Sequence, residues 1–188
     1  MDIRTSRIAV LISAAAIIAI IAVGCAKKPA QDERTLVQDG IQSFRHGDYQ
    51  KALDTFTKAI EANPNDAEAH FFKGNAFALM GKKQEAIAEW DKATQLAPNV
   101  PQPYFNKGNA YADLGKDKEA LDAYDKAIKL NPTYAKAYYN KAMVLSRMGR
   151  TKESQEALAK ARSLAPMPQQ PVQPGQPVQP PQGAAPGK

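Results

Sequence analysis

Phe71-Phe72-Lys73-Gly74-Asn75-Ala76-Phe77 returns 34 residues later as Phe105-Asn106-Lys107-Gly108-Asn109-Ala110-Tyr111. The same offset pairs Gly81 with Gly115, Ala86 with Ala120, Trp90 with Tyr124, Ala93 with Ala127 and Pro98 with Pro132. It extends backwards to Gly40, Gly47, Ala52, Phe56, Ala59 and Pro64, and forwards to Gly149, Leu158, Ala161 and Pro166. A fixed period of this size indicates a solenoid of stacked helix pairs, in which each duplicate covers an apolar face that its neighbour cannot bury alone.

Within each period the apolar spacing is near 3.6, with glycine and proline as punctuation. The pattern predicts first helices over roughly Glu33–His46, Ala67–Met80, Gln102–Leu114 and Ala135–Met148. Second helices are predicted over Tyr49–Ala62, Lys83–Leu96, Asp117–Leu130 and Thr151–Leu164. A glycine follows each first helix, where a left-handed stop needs a residue without Cβ. A proline follows each second helix and opposes its continuation. Inside a pair, Gly40, Gly74 and Gly108 are expected to let the backbone approach Ala52, Ala86 and Ala120 closely. Phe56, Trp90, Tyr124 and Leu158 are expected to fill the space between neighbouring pairs.

These recurring glycine, alanine, aromatic and proline positions resemble the tetratricopeptide repeat (TPR). The resemblance implies an all-α, right-handed superhelical solenoid of four helix-turn-helix repeats, over residues 33–66, 67–100, 101–134 and 135–166, within a folded part of 32–165. The fourth repeat departs from the pattern, with Ala142 at the first-helix glycine and Ser154 at the second-helix alanine. The first has Ser43 where an aromatic is usual. The two ends of the array read as polar caps. Gln42, Ser43 and His46 stand where later repeats have residues such as Phe77 and Met80, and Gln155 and Arg162 replace the Leu121 and Ile128 type. Capped ends predict a closed, monomeric array.

Ahead of the array, Arg4 and Arg7 precede sixteen apolar or small residues, Ile8 to Val23, and then Gly24-Cys25. A basic start, a short apolar run and a small residue at the junction read as a secretory signal over 1–24. The run is short beside the about 20 residues of a spanning helix. Ala22-Val23-Gly24-Cys25 resembles the lipobox of bacterial lipoproteins. That resemblance implies lipidation of Cys25 by palmitate-type acyl chains and a lipid-anchored tether over 25–31. Ala26, not Asp, after the cysteine permits, by the same resemblance, sorting to the outer membrane, favoured over the inner, with the fold facing the periplasm. An uncleaved signal anchor is the competing reading. The chain's one cysteine excludes an intramolecular disulfide framework.

Beyond the array, residues 166–188 are mostly Pro, Gln, Gly and Ala, and Lys188 carries the only charged side chain. Pro171-Val172-Gln173-Pro174 is repeated as Pro177-Val178-Gln179-Pro180. This composition predicts a disordered tail with polyproline II character, either passive or a ligand for a proline-binding partner.

The net charge of +6 falls to 23 basic against 18 acidic residues once 1–24 are removed. The signs are mixed along the helices, which reads as a solvated surface rather than a nucleic-acid stripe. The chain has two histidines. His70 falls at a packing position and His46 at a helix end, and neither has metal-ligand spacing. No phosphate loop or activated serine is present. The sequence predicts no enzyme, no metal and no cofactor.

What remains is the inner surface, which in the TPR family is lined by the first helices. The implied partner-binding residues are Val37, Ile41, Phe71, Asn75, Phe105, Asn106, Asn109, Lys136, Tyr139 and Asn140. Aromatics would supply buried area, and asparagines would hydrogen-bond an extended peptide. Asn75, Asn106 and Lys136 coincide with a carboxylate-binding clamp known in the family, while Phe71 and Asn140 replace its basic residues. The expected function is a non-catalytic, membrane-anchored scaffold that holds a protein or peptide in a bacterial envelope assembly. The alternative is a periplasmic carrier or regulator binding a cell-wall glycan or small ligand.

Overall fold

Each first helix stops where the chain turns left-handed. Gly47, Gly81, Gly115 and Gly149 have φ of 83°, 78°, 73° and 74°, a region that side chains with a Cβ disfavour. At Gly115 the turn closes by a bond from the amide of Lys116 back to the carbonyl of Tyr111 (2.9 Å), which satisfies one of the helix's orphan carbonyls. Second helices end differently. Asn63, Ala97 and Asn131 leave helical geometry, at ψ of 96°, 74° and 91°, because each precedes a proline whose ring disfavours the α conformation before it.

The computed structural model describes residues 32–164. The expected signal over 1–24, Cys25 with its tether, and the Pro/Gln-rich segment from 166 lie outside the described residues. Eight helices are described: α1 (Glu33–Arg45), α2 (Tyr49–Ala62), α3 (Ala67–Leu79), α4 (Lys83–Leu96), α5 (Pro101–Asp113), α6 (Asp117–Leu130), α7 (Ala135–Arg147) and α8 (Thr151–Leu164). They form an all-α, right-handed superhelix of helix pairs. Each helix packs on its chain neighbours, and α1, α3, α5 and α7 also touch one another directly along one face. The second helices match the sequence-derived bounds to the residue, and the first helices match to within one residue at each end.

The core runs as three clusters along the stack, at the joints between pairs. Leu36, Val37, Ile41, Ala52, Phe56, Ala59 and Ala69 form the first. Ala86, Ile87, Trp90 and Ala110 form the middle one. Ala120, Leu121, Tyr124, Ala142, Val144, Leu145 and Ala157 form the last.

The first-helix glycines face the aromatic of their own pair rather than the small residue expected there. A Cβ on Gly40, Gly74 or Gly108 would lie 2.6, 2.6 or 2.5 Å from Phe56, Trp90 or Tyr124. The expected glycine–alanine approach holds only in part, at Gly74, where the Ala86 carbonyl would be 3.1 Å away. The fourth repeat compensates for both of its departures. Leu158 replaces the ring, so Ala142 fits, and the Ser154 hydroxyl donates to the Ala142 carbonyl at 2.8 Å. At the front end Gln42 and His46 are exposed, but Ser43 is buried.

Candidate groove

Two side-chain triads sit at equivalent places in the stack. Asn75 Oδ1 accepts from Trp90 Nε1 (3.1 Å) and from Asn106 Nδ2 (2.8 Å). One repeat on, Asn109 Oδ1 accepts from the Tyr124 hydroxyl and from Asn140 Nδ2, both at 2.8 Å. The indole N–H can only donate, so the atom facing it is the asparagine oxygen, and the Asn106 amide facing that oxygen presents its NH₂. Burial pushes the Tyr124 pKa well up, opposed by the adjacent Asn140 amide, so its hydroxyl stays a neutral donor. At the first joint the same three positions hold Ile41, Phe56 and Phe72. No side chain there can donate or needs an acceptor, and the Phe56 and Phe72 rings stack at 6.0 Å.

Above the two polar triads lie two hollows. One, of about 280 Å³, is lined by Phe44, Asn75, Ala78, Leu79, Trp90 and Asn106, and by Lys83 and Asp113 at its rim. The next, of about 270 Å³, has Asn109, Ala112, Asp113, Asn140, Met143 and Arg147 on its walls. Asn109 and Asp113 belong to both, so the hollows form one continuous groove along the first helices. Leu79 and Met143 are exposed in it, at 58% and 38%. Its charges are already compensated. Lys83 pairs with Asp113 at 2.9 Å. Arg147 pairs with Asp117 and donates to the Ala112 carbonyl at 3.1 Å. These are equivalent inter-repeat positions with the signs exchanged, and at the first joint they are Tyr49 and Leu79.

The residues expected to bind a partner divide into groups. Val37 and Ile41 are corrections: they are 3% and 6% exposed and belong to the first core cluster, because the donor-free Phe56 and Phe72 draw apolar partners inward. Phe71 is half-buried against the middle core and Phe105 against the last, where its ring lies 4.9 Å from that of Tyr134. Tyr139 is half-buried and Lys136 exposed. None of these four lines the hollows. Asn75, Asn106, Asn109 and Asn140 do line them, but four of their polar groups bond one another or a core aromatic. The Nδ2 groups of Asn75 and Asn109 have no partner among the described residues.

Beyond these asparagines and Met143, which shares their repeat position, the groove extends about one helical turn further, onto Ala78, Leu79, Ala112, Asp113 and Arg147. The sequence reading missed Leu79, Asp113 and Arg147 as groove residues. Their spacing of four from Asn75, Asn109 and Met143, which puts them on the same helix face, was the available signal.

His70 is buried, as its packing position suggests, and is also bonded: its Nδ1 lies 2.7 Å from Glu89 and its Nε2 lies 3.2 Å from the Pro64 carbonyl. Glu89 also receives Lys73 at 2.8 Å. Among the described residues no group of three or more His, Cys, Asp or Glu is placed to hold a metal, and no described helix is long and apolar enough to cross a membrane.

Three models of tetratricopeptide repeats match, over residues 43–101, 108–149 and 135–166. The chain is a tetratricopeptide-repeat protein. Solved structures agree with this TPR assignment. A crystal structure of MamA superposes with a TM-score of 0.71 at 25% identity, covering 87% of this chain and 95% of that one. A second MamA crystal structure gives 0.68 at 28% identity, with 71% and 73% covered. MamA 41-end from Desulfovibrio magneticus RS-1 gives 0.67 at 26% identity, with 71% and 75% covered. No curated protein matches the sequence. A TPR array of this kind is a protein–protein interaction scaffold.

Proposed function

We propose that this TPR protein holds an extended segment of a protein partner in the groove of α3, α5 and α7, as a non-catalytic scaffold tethered to the bacterial envelope. The observation that carries the groove is the exposure of Leu79 and Met143 beside the solvent-open Asn75 and Asn109 amide donors, which have no partner among the described residues. Apolar side chains would bind the former, and backbone carbonyls the latter. Asn75, Asn106, Asn109 and Asn140 keep their proposed place in the site. Phe71 and Phe105 pack against the core clusters, and Tyr139 and Lys136 lie outside the hollows.

The envelope address rests on the lipobox-like Ala22-Val23-Gly24-Cys25 and on Ala26. Cys25 carries the acyl chains in this reading, and the groove faces the periplasm from the outer membrane. More than one chain is needed, since a single acyl chain holds a protein only marginally. The array works as a monomer.

Two measurements test the proposal. Leu79→Glu with Met143→Glu should lower recovery of envelope proteins crosslinked to the chain by at least tenfold, at unchanged helicity; equal recovery removes the groove. Intact mass of the membrane-extracted chain should show a start at Cys25 plus acyl mass, and a chain still beginning at Met1 removes the lipid anchor.

A further inference from the structure

The groove already neutralises its own charges, since Lys83 meets Asp113 and Arg147 meets Asp117. A charged occupant would have to compete with those pairs, whereas an uncharged one would not. What the groove leaves open is apolar surface at Leu79 and Met143 and two amide donors, at Asn75 and Asn109. An uncharged, extended chain with free backbone carbonyls satisfies both demands, and polyproline II presents its carbonyls that way.

The protein contains such a segment. From Pro166 to Gly187 no side chain is charged, and Pro-Val-Gln-Pro occurs twice, at 171–174 and 177–180. The groove also has two equivalent hollows, one repeat apart.

The reach is sufficient. α8 ends at Leu164 and packs on α7, to which the short turn through Gly149 joins it as an antiparallel pair. The chain therefore leaves α8 beside the start of α7. From there to Met143 is about 12 Å along the helix, and six extended residues cover about 19 Å. The two Pro-Val-Gln-Pro copies start six residues apart, again about 19 Å when extended. That exceeds the 8–10 Å, roughly, between packed helix axes. Direct attachment also supplies a millimolar effective concentration, so weak contacts suffice for occupancy.

We infer that residues 166–187 of this same chain occupy the groove of α3, α5 and α7, with Pro171–Pro174 over the Asn109 hollow and Pro177–Pro180 over the Asn75 hollow. An external partner then has to displace them, so the segment sets the threshold for capture. This rests on the groove reading above and adds a regulator to it.

The test places p-benzoylphenylalanine at Val178 in the full chain and maps photocrosslinks by peptide mass. Intramolecular crosslinks should concentrate on α3 and α5 around Asn75–Leu79 and Asn109–Asp113. Their yield should not depend on protein concentration, and Leu79→Glu with Met143→Glu should cut it at least tenfold at unchanged helicity. Crosslinks spread over α2, α4, α6 and α8, crosslinks that appear only between chains and grow with concentration, or no crosslinks at all would overturn the inference. Recovery of external partners, read separately with the same two substitutions, shows whether the groove reading fails as well.

Discussion

Tyr124 donates its buried hydroxyl to Asn109 Oδ1 at 2.8 Å, across the two helices of one repeat. The corresponding donor one repeat earlier, Trp90 Nε1, has two acceptors: Asn75 Oδ1 at 3.1 Å and the Phe71 carbonyl at 3.2 Å. Asn109→Ala leaves the Tyr124 hydroxyl without an acceptor and should cost about 1–3 kcal/mol, the usual penalty for a stranded buried donor. Asn75→Ala leaves Trp90 one acceptor and should cost less, by on the order of 1 kcal/mol. Urea unfolding of the two variants measures the difference, and equal losses would show that the second acceptor on Trp90 contributes nothing.

The three positions of each triad change character together. Asparagine accompanies Trp90 and Tyr124, and Ile41 accompanies Phe56. Phe56→Tyr should therefore be destabilising by about 1–3 kcal/mol, because its hydroxyl meets Ile41 and Phe72 and finds no acceptor. Adding Ile41→Asn should recover part of that loss, despite the apolar area it sacrifices. A double-mutant cycle by chemical denaturation reads this directly. Strict additivity of the two losses would mean that the pairing of asparagine with a donor aromatic is incidental.

The same coupling marks where the sequence was legible and where it was not. The positions of the eight helices follow from the Gly81/Gly115 and Pro98/Pro132 periods, because backbone stops depend on one residue at a time. The orientation of the glycines was misread. Gly108 is small to admit the ring of Tyr124, a contact set by the pair's crossing and invisible in the spacing alone. Val37 and Ile41 fall in the core, while Asn75, Asn106, Asn109 and Asn140 line the hollows, for a related reason. A repeat period transfers a position from one repeat to the next, but not the size and polarity of its neighbours. Ile41 and Asn75 share a position, yet one is core and the other borders a hollow. Comparing Ile41, Phe56 and Phe72 as a set with Asn109, Tyr124 and Asn140 would have exposed the difference before any coordinates.

A methyl group at Gly108 would lie 2.5 Å from the Tyr124 ring, too close for the ring to remain in place. Gly108→Ala should thus be destabilising by roughly 1–3 kcal/mol, as overpacked cores are. In a Tyr124→Leu background the same substitution should cost less than about 0.5 kcal/mol, since the fourth repeat already accommodates Ala142 beside Leu158. Denaturation midpoints of the four chains check this. A cost that is the same in both backgrounds would place the strain elsewhere than at the ring.

Alkaline pH provides a separate probe of the same ring. Burial holds the Tyr124 pKa well above the ordinary tyrosine value, with the Asn140 amide opposing, and burial moves Tyr134 in the same direction. An unfolded tyrosine releases its proton near pH 10, roughly. Between that point and the higher folded value, the unfolded chain binds fewer protons than the folded one. Stability is therefore unaffected by Tyr124 below pH 10 or so and falls above it by up to about 1.4 kcal/mol per pH unit. Tyr124→Phe removes both this sensitivity and the hydrogen bond to Asn109. At pH 9 the variant should be the weaker protein by about 1 kcal/mol, and by pH 11 the gap should close or reverse, because only the parent pays to keep the hydroxyl protonated. Urea unfolding from pH 9 to 11 measures this, and parallel pH profiles would mean that the Tyr124 hydroxyl ionises in the folded protein as readily as in the unfolded chain.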